Sequence, residues 1–414
     1  MNRTHPQVLE TEYLVVGAGA AGCAFGFLMK KSGADVLLLE IQNAQQRFKL
    51  CAGILETRAE AAFRDIFGIT AEEAGLAPMP IENVCVWNGN YEFKRAILGL
   101  RPEHHVADGI SLRRQKGLGD ALRGYLRAGG KALAKKMILE ALGYDAAGGI
   151  SFRALPRKRL DDYIRDRYLE EGGQILYHAK VLSVKESEGL AEYIDLCTRE
   201  IFTVRFRYII GADGAVSSVR RLVTGRQPRV YLALEAAVPL LRRDTIGSLI
   251  KGAQGYCWYI PRGEDATVGC CYHNAGADAY EICQKRLAAF CAEAGLPVPP
   301  RFYGAFIPEG DDVLLRSGKR AYFLGDAAGL NDAVSGGGIH YALLSARALA
   351  ASFADDDGHS ALLSAQGSDA AFAGNVTYGE AMQPHVDFVK KTSDHVKRYY
   401  DIACSVISGL GKKR

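Results

Sequence analysis

The sequence has no run of apolar residues approaching the roughly 20 that a membrane-spanning helix needs, so no span is expected. Its first residues, Met-Asn-Arg-Thr-His-Pro, lack the apolar core of a secretory signal and lead straight into a strand-like run. The ten cysteines fall at irregular spacings with no Cys-x-x-Cys, and only Cys270 and Cys271 adjoin. That is neither a zinc pattern nor a disulfide framework, and it reads as reduced thiols in a cytoplasm. Nine histidines show no ligand spacing, so no metal is expected. A net charge of +4 over 414 residues is too small to argue for a nucleic-acid partner. There are no repeats and no low-complexity segments. What remains, 48% hydrophobic and 24% charged, is ordinary globular composition, with length enough for two or three domains.

The most informative stretch is residues 12–40. Tyr13 to Val16 is a short apolar run, suited to a buried strand of a parallel sheet. Gly17, Gly19 and Gly22 follow in the spacing G-x-G-x-x-G, with Ala18 and Ala21 between them. Gly17 allows a tight turn, Gly19 leaves room for a pyrophosphate, and Gly22 lets the next helix pack close to the sheet. That helix is expected from about Ala20 to Lys31, with its N-terminal N–H groups facing the phosphates. A second strand, Asp35 to Leu39, stops at Glu40, whose carboxylate can accept from an adenosine ribose.

Further along, Glu56 to Ile66 reads as a helix, and Asn83 to Trp87 and Tyr91 to Ile97 as strands. Residues 110–149 carry leucines at near-helical spacing and many Lys and Arg, including Lys135 and Lys136. This basic helical pair is either a solvated hairpin or a face for a membrane or an anionic substrate. Arg157 to Tyr168 is helical. Short strands then form an antiparallel layer, with Phe202 to Arg205 and Tyr208 to Ile210 as separate runs. Strands dominate from Val230 to Pro308, interrupted by a helix at Asp278 to Glu293. Gly338 opens a long helix through Ala351, and the tail reads as helical, with a break at Pro384 and Lys412 to Arg414 at its end.

Three glycine-anchored sites combine: the turn at Gly17, then Gly211-Ala212-Asp213-Gly214, then Gly325-Asp326 with Gly336 to Ile339. A nicotinamide dehydrogenase needs only the first, whereas FAD, long and extended, needs further contacts. Asp213 is either a corner-holding turn residue or an FAD contact. Asp326 can accept from a ribityl hydroxyl. The helix after Gly337 and Gly338 can aim its N–H groups at the flavin pyrimidine edge.

On these residues the chain resembles the FAD-dependent oxidoreductases of the p-hydroxybenzoate-hydroxylase fold and, within them, the geranylgeranyl reductase family. Lys49-Leu50-Cys51-Ala52-Gly53 resembles that family's Lys-x-Cys-Gly-Gly loop near the flavin. Arg157 to Ile164, with Asp161, resembles its Arg-x-x-x-Asp-x-x-Leu helix. Tyr256-Cys257-Trp258-Tyr259-Ile260-Pro261 resembles its Tyr-x-Trp-x-Phe-Pro substrate motif. The chain departs from the family at Ala52 (usually Gly), Gly337 (usually Glu) and Ile260 (usually Phe), and the 110–149 stretch looks like an insertion.

The resemblance implies an α/β architecture: a Rossmann-like FAD-binding domain, an antiparallel-sheet substrate domain and a helical C-terminal region. The expected divisions are 1–80, 150–225 and 309–350 for FAD, and 81–109 and 226–308 for the substrate. The basic insertion takes 110–149 and the helical tail 351–414. Expected FAD neighbours are Gly17, Ala18, Gly19, Ala21, Gly22, Glu40, Cys51, Ala52, Gly53, Arg157, Asp213, Gly214, Gly325, Asp326, Gly337, Gly338 and Ile339. Cys51, Tyr256 and Trp258 are the candidate catalytic residues. Val238, Tyr256, Trp258 and Phe306 are candidate walls of an apolar tunnel, and His340 is expected to be exposed. The implied chemistry is reduction of carbon–carbon double bonds in an isoprenoid or other small apolar substrate, a prenyl lipid included. Electrons would come from NAD(P)H or from a reductase or reduced ferredoxin partner. Hydroxylation of an aromatic substrate keeps the cofactor and changes the chemistry. Halogenation is weaker, since only Trp258, Ile260 and Pro261 match its motif. A flavin-binding interaction protein at the inner face of the membrane is the non-enzymatic alternative.

Overall fold

The computed structural model describes residues 8–45, 49–81, 84–87, 92–93, 152–249, 255–273, 276–333, 336–356 and 376–410. The basic stretch at 110–149 and the terminal Lys412 to Arg414 lie outside the described residues.

The run Val8–Val16 forms β1, the first helix α1 is Ala20–Lys31, and β2 is Val36–Leu39. Tyr13 to Val16 and all of β2 are buried, as strands of a sheet covered on both faces must be. Numbered in chain order, the other strands of this sheet are β8 (Gln174–Leu176), β9 (Ala179–Lys185), β10 (Leu190–Asp195), β11 (Ile201–Gly211), β17 (Arg316–Ser317) and β18 (Ala321–Phe323). Their order is β17-β18-β11-β1-β2-β8, with β10 and β9 continuing from the first half of β11. β18, β11, β1, β2 and β8 run parallel. The two short runs expected at Phe202 to Arg205 and Tyr208 to Ile210 are one strand, β11, since Phe206 pairs on through the ladder. Helices α2 (Thr57–Phe67), α3 (Arg157–Glu170) and α6 (Ile339–Asp356) pack with α1 on this sheet's side of the molecule.

The packing of α1 on α3 depends on Tyr168. Its ring lies where a Cβ on Gly26 or Gly173 would come within 2.8 Å and 2.4 Å of Cε2. Its hydroxyl donates to the Val36 carbonyl at 2.9 Å and accepts from the Gln174 N–H at 3.1 Å, so one buried side chain ties α3 to β2 and β8.

A second sheet follows the order β16-β12-β15-β14-β13-β5-β6. Its strands are β5 (Val84–Trp87), β6 (Glu92–Phe93), β12 (Val230–Pro239), β13 (Thr245–Leu249), β14 (Gly255–Pro261), β15 (Asp265–Tyr272) and β16 (Tyr303–Pro308). All pairs are antiparallel except β13 with β5. Leu232, Leu234, Ala236 and Val238 of β12, with Cys257 and Tyr259 of β14, face α5 (Ala279–Glu293). Strand period 2 therefore turns Tyr231, Ala233, Tyr256, Trp258 and Ile260 to the opposite face. Val238 has the wrong parity for a tunnel wall. It is buried in the core under α5, which corrects the expectation above. A three-stranded sheet of β3 (Ile54–Glu56), β7 (Phe152–Ala154) and β4 (Met79–Pro80) completes the described strands.

The final helix, α7 (Tyr378–Leu410), is not broken at Pro384. The proline falls in its second turn and removes one hydrogen bond there. Tyr378, Ala381, Met382, Val386 and Val389 bury one side of the helix, which packs against α6 and holds it through the imperfection. α4 (Ser218–Thr224) follows β11.

Tyr168→Phe leaves the Val36 carbonyl and Gln174 N–H short of a partner while keeping the ring. Urea denaturation is expected to show a loss of about 1–3 kcal/mol; an unchanged midpoint would show that the hydroxyl plays no part in fixing α3.

Candidate functional site

The parallel strands all end toward one cavity of about 490 Å³, which lies against both large sheets. It is within the size range of ligand and cofactor sites. Of the residues named from sequence, Gly17, Gly19, Ala21, Glu40, Cys51, Ala52, Gly53, Arg157, Asp213, Gly214, Tyr256, Trp258, Phe306, Asp326, Gly337, Gly338 and Ile339 line it. Ala18, Gly22 and Gly325 are not in its wall.

At one end, Gly17 adopts φ +103°, and a Cβ there would sit 2.4 Å from the Ala212 carbonyl oxygen. A Cβ on Gly22 would lie 2.0 Å from the Gly17 carbonyl oxygen. Both glycines are required by backbone packed on backbone, so Gly22 acts behind the wall. α1 begins at Gly19 with no side-chain cap and no acidic residue in its first turn. Its first N–H groups and positive dipole end are therefore available to an anion in the cavity. Glu40 is buried and accepts from the N–H groups of Ala18 and Gln42, both at 2.9 Å. It thus holds the glycine turn against the end of β2 while facing the cavity.

Asp213 resolves its two readings through structure. Its carboxylate accepts from the Ser217 hydroxyl at 2.6 Å and from the N–H groups of Ser218 and Val219 at 2.6 Å and 3.1 Å. It holds the corner between β11 and α4 and meets the cavity from there. Burial raises its pKa, against the lowering effect of these hydrogen bonds.

In the middle of the cavity, Asp326 pairs with Lys49 at 2.8 Å. A Cβ on Gly338 would be 3.0 Å from Asp326 Oδ1, so glycine there lets α6 start close to this carboxylate. The helix itself begins at Ile339, one residue later than expected. Its N-terminus and that of α1 face the same cavity. Gly53, at φ +77°, packs its backbone against Leu155, where a Cβ would be 1.9 Å from the carbonyl oxygen. This shapes the loop that presents Cys51. Arg157 is buried and pairs with Asp161 at 2.8 Å. Burial opposes its charge, but Asp161 and the hydrogen-bonded Cys51 thiol outweigh that and raise its pKa.

At the other end, Ala233, Tyr256, Trp258, Ile260 and Ile307 make an apolar wall. The Tyr256 and Trp258 rings lie 5.6 Å apart. Phe306, also in the wall, is 43% exposed and so sits at the mouth rather than deep inside.

Two acidic residues of the wall were not singled out from sequence. Glu56 and Glu235 are each pushed up to about 7, chiefly by burial, against the pull of Arg58 on Glu56 and of Thr267 and Arg262 on Glu235. Glu235 had a signal: it is the lone charge in the run Tyr231 to Val238. Glu56 had none, since it reads as the first residue of a helix. His340 is not exposed as expected; it is 6% accessible, within 4.0 Å of Glu56. Helix periodicity turns it from solvent into the packing of α6, next to Tyr341 and His385. Burial, with Arg58 and His385 nearby, holds its pKa well below 6.5, so it is neutral.

These residues fit FAD: two helix starts, that of α1 without a side-chain cap, for its anionic parts, carboxylates at the strand ends for hydroxyls, and an apolar wall beyond. The raised carboxyls set a pH dependence. An unfolded glutamate loses its proton near 4.5 and a folded one near 7, so each of Glu56 and Glu235 lowers stability as pH rises between these values. Each contributes up to about 3 kcal/mol. Glu56→Gln and Glu235→Gln are each expected to flatten the decline in urea stability from pH 5 to pH 8; an unaltered slope would overturn this assignment.

A family model described as an FAD binding domain matches residues 10–235, more than half of the chain. Digeranylgeranylglycerophospholipid reductase 2 of Methanosphaera stadtmanae is 24% identical over 362 residues, covering 82% of this chain and 76% of that protein. A geranylgeranyl bacteriochlorophyll reductase-like structure from Thermoplasma acidophilum superposes with TM-score 0.62 at 16% identity, over 96% of this chain and 88% of the other. The flavin-dependent monooxygenase PieE, solved with FAD and substrate, superposes with TM-score 0.60 at 16% identity, over 97% and 72%. Among the described residues no helix is long and apolar enough to cross a membrane. A domain match across that share of the sequence, on a fold shared with these flavoproteins, places the chain in the FAD-binding-domain family as an FAD-dependent oxidoreductase of the p-hydroxybenzoate-hydroxylase type.

Proposed function

We propose that the chain reduces carbon–carbon double bonds of an isoprenoid or similarly apolar substrate. The apolar wall of Ala233, Tyr256, Trp258, Ile260 and Ile307, in the same cavity as the Cys51 loop, carries this reading. The names of the Methanosphaera and Thermoplasma relatives point the same way. Bound FAD, once reduced, supplies the hydride. The protein's part is to hold the alkene, keep water out and bring a proton to the second carbon. Cys51 is the donor in this scheme: it lines the cavity, and Arg157 beside it offers a fixed positive charge to the thiolate left behind. Asp161 keeps that guanidinium in place.

Among the described residues one dinucleotide turn is visible, and FAD takes it. Electrons then come from NAD(P)H docking transiently or from a reduced ferredoxin or reductase partner. Adding each donor anaerobically and following flavin bleaching separates them. Hydroxylation of an aromatic substrate is the second reading, favoured by the likeness to PieE and by the paired Tyr256 and Trp258 rings.

Photoreduced holoenzyme, held without oxygen, is expected to reoxidise on addition of a prenyl lipid. Cys51→Ala is expected to slow that step roughly 100-fold or more while keeping FAD. Turnover only with oxygen and an aromatic compound would replace reduction by hydroxylation.

A further inference from the structure

Two residues that line the apolar end of the cavity each carry a buried polar atom without a hydrogen-bond partner. Glu235 stands opposite Gly269, and Gly269 stands opposite Trp258, across β12, β15 and β14. Residues opposite one another in antiparallel strands share a face, so Glu235 and Trp258 flank Gly269 on the cavity side. Both line the cavity, and they are only 5% and 7% exposed. Neither Glu235 Oε2 nor Trp258 Nε1 has a hydrogen-bond partner.

The surroundings fix this pair. A Cβ on Gly269 would be 2.0 Å from Trp258 Cζ2 and 2.2 Å from Cε2. The indole thus lies over the glycine, in space no other residue would leave. On the other side, Arg262 Nη1 lies 3.7 Å from Glu235 Oε1. The rest of that guanidinium is engaged twice by Asp265, at 3.1 Å and 2.8 Å. Arg262 therefore steadies one carboxyl oxygen, and its charge is already shared between two acids. Thr267 also acts on this carboxyl, and Oε2 is left buried without a hydrogen-bond partner. A buried acceptor beside a buried donor is costly without an occupant that answers both.

We infer that Glu235 and Trp258 together recognise a neutral hydroxyl on an otherwise apolar substrate, and that they discriminate against a phosphate ester at that position. A hydroxyl donates to Glu235 and accepts from the Trp258 N–H at once. A phosphate has no comparable donor in its ionised form and brings negative charge against a carboxyl whose nearest cation is committed. This rests on the apolar-substrate reading of the same cavity and names the substrate's polar group.

Calorimetric titration of oxidised holoenzyme tests it. The ligands are geranylgeraniol, a geranylgeranylated phenol, geranylgeranyl phosphate and the matching hydrocarbon, in the same detergent. An alcohol or a phenol is expected to bind about tenfold or more tighter than the hydrocarbon and the phosphate; which of the two binds distinguishes the hydroxyl's source. Glu235→Leu and Trp258→Phe are each expected to lose about tenfold for the hydroxyl compound and nothing for the hydrocarbon. Glu235→Gln, which keeps an acceptor and the shape, is expected to retain most of the affinity. FAD content of each variant reports its folding. Equal binding of hydroxyl compound and hydrocarbon, phosphate binding as tight as alcohol, or equal losses for all ligands in the variants would overturn the inference while leaving the apolar-substrate reading standing. Failure of every prenyl compound to bind would overturn that reading, and the inference with it.

Discussion

Backbone packed against backbone at the ends of four strands is the constraint from which the site follows. Gly17 donates to the Leu39 carbonyl at 2.7 Å, Ala212 to Val16 at 2.8 Å, and Leu324 to Gly211 at 2.9 Å. The chain leaves β2, β1, β11 and β18 at one level, and a methyl group on Gly17 or Gly22 would force that junction apart. The residues just past each strand, Glu40, Gly17, Asp213 and Asp326, are gathered at one opening for this reason. Ligands of open parallel sheets bind at such carboxyl ends.

The opening has two chemically different sides. One receives the starts of α1 and α6, whose N-terminal N–H groups and positive dipole ends suit a pyrophosphate and an electron-rich ring edge. The other is a face of the antiparallel sheet, apolar apart from Glu235. The Cys51 loop and Arg157 occupy the seam, with Lys49 reaching Asp326 nearby. A cofactor's charged part and an apolar substrate can thus share one cavity without either facing the wrong environment.

Much of the FAD side was legible because its signals are local. The G-x-G-x-x-G spacing, the strand ending at Glu40 and the Gly325-Asp326 corner each lie within a few residues; Gly17, Gly19, Glu40 and Asp326 line the cavity, while Gly22 and Gly325 stand behind its wall. The substrate side was less legible. Val238 and Tyr256 are both apolar or aromatic strand residues, yet one faces α5 and the other the cavity. Both faces of this sheet are buried, so the polar–apolar alternation that would reveal parity is missing. His340 follows the same logic on a helix, where a polar residue beside a glycine run looks exposed until α7 packs near it. Lys49 was visible within a motif, but its partner lies 277 positions away.

What the sequence by itself determined is the dinucleotide turn, the cofactor class and the parallel core, because short-range glycine geometry and apolar strands admit few alternatives. Tertiary structure decided which face of β12 and β14 meets the cavity, and that Glu235 stands across Gly269 from Trp258. It also decided that the buried His340 sits beside the partly buried Glu56. These depend on strand register and on the order in which distant strands pair. A shift of one residue exchanges the two faces without changing any local pattern.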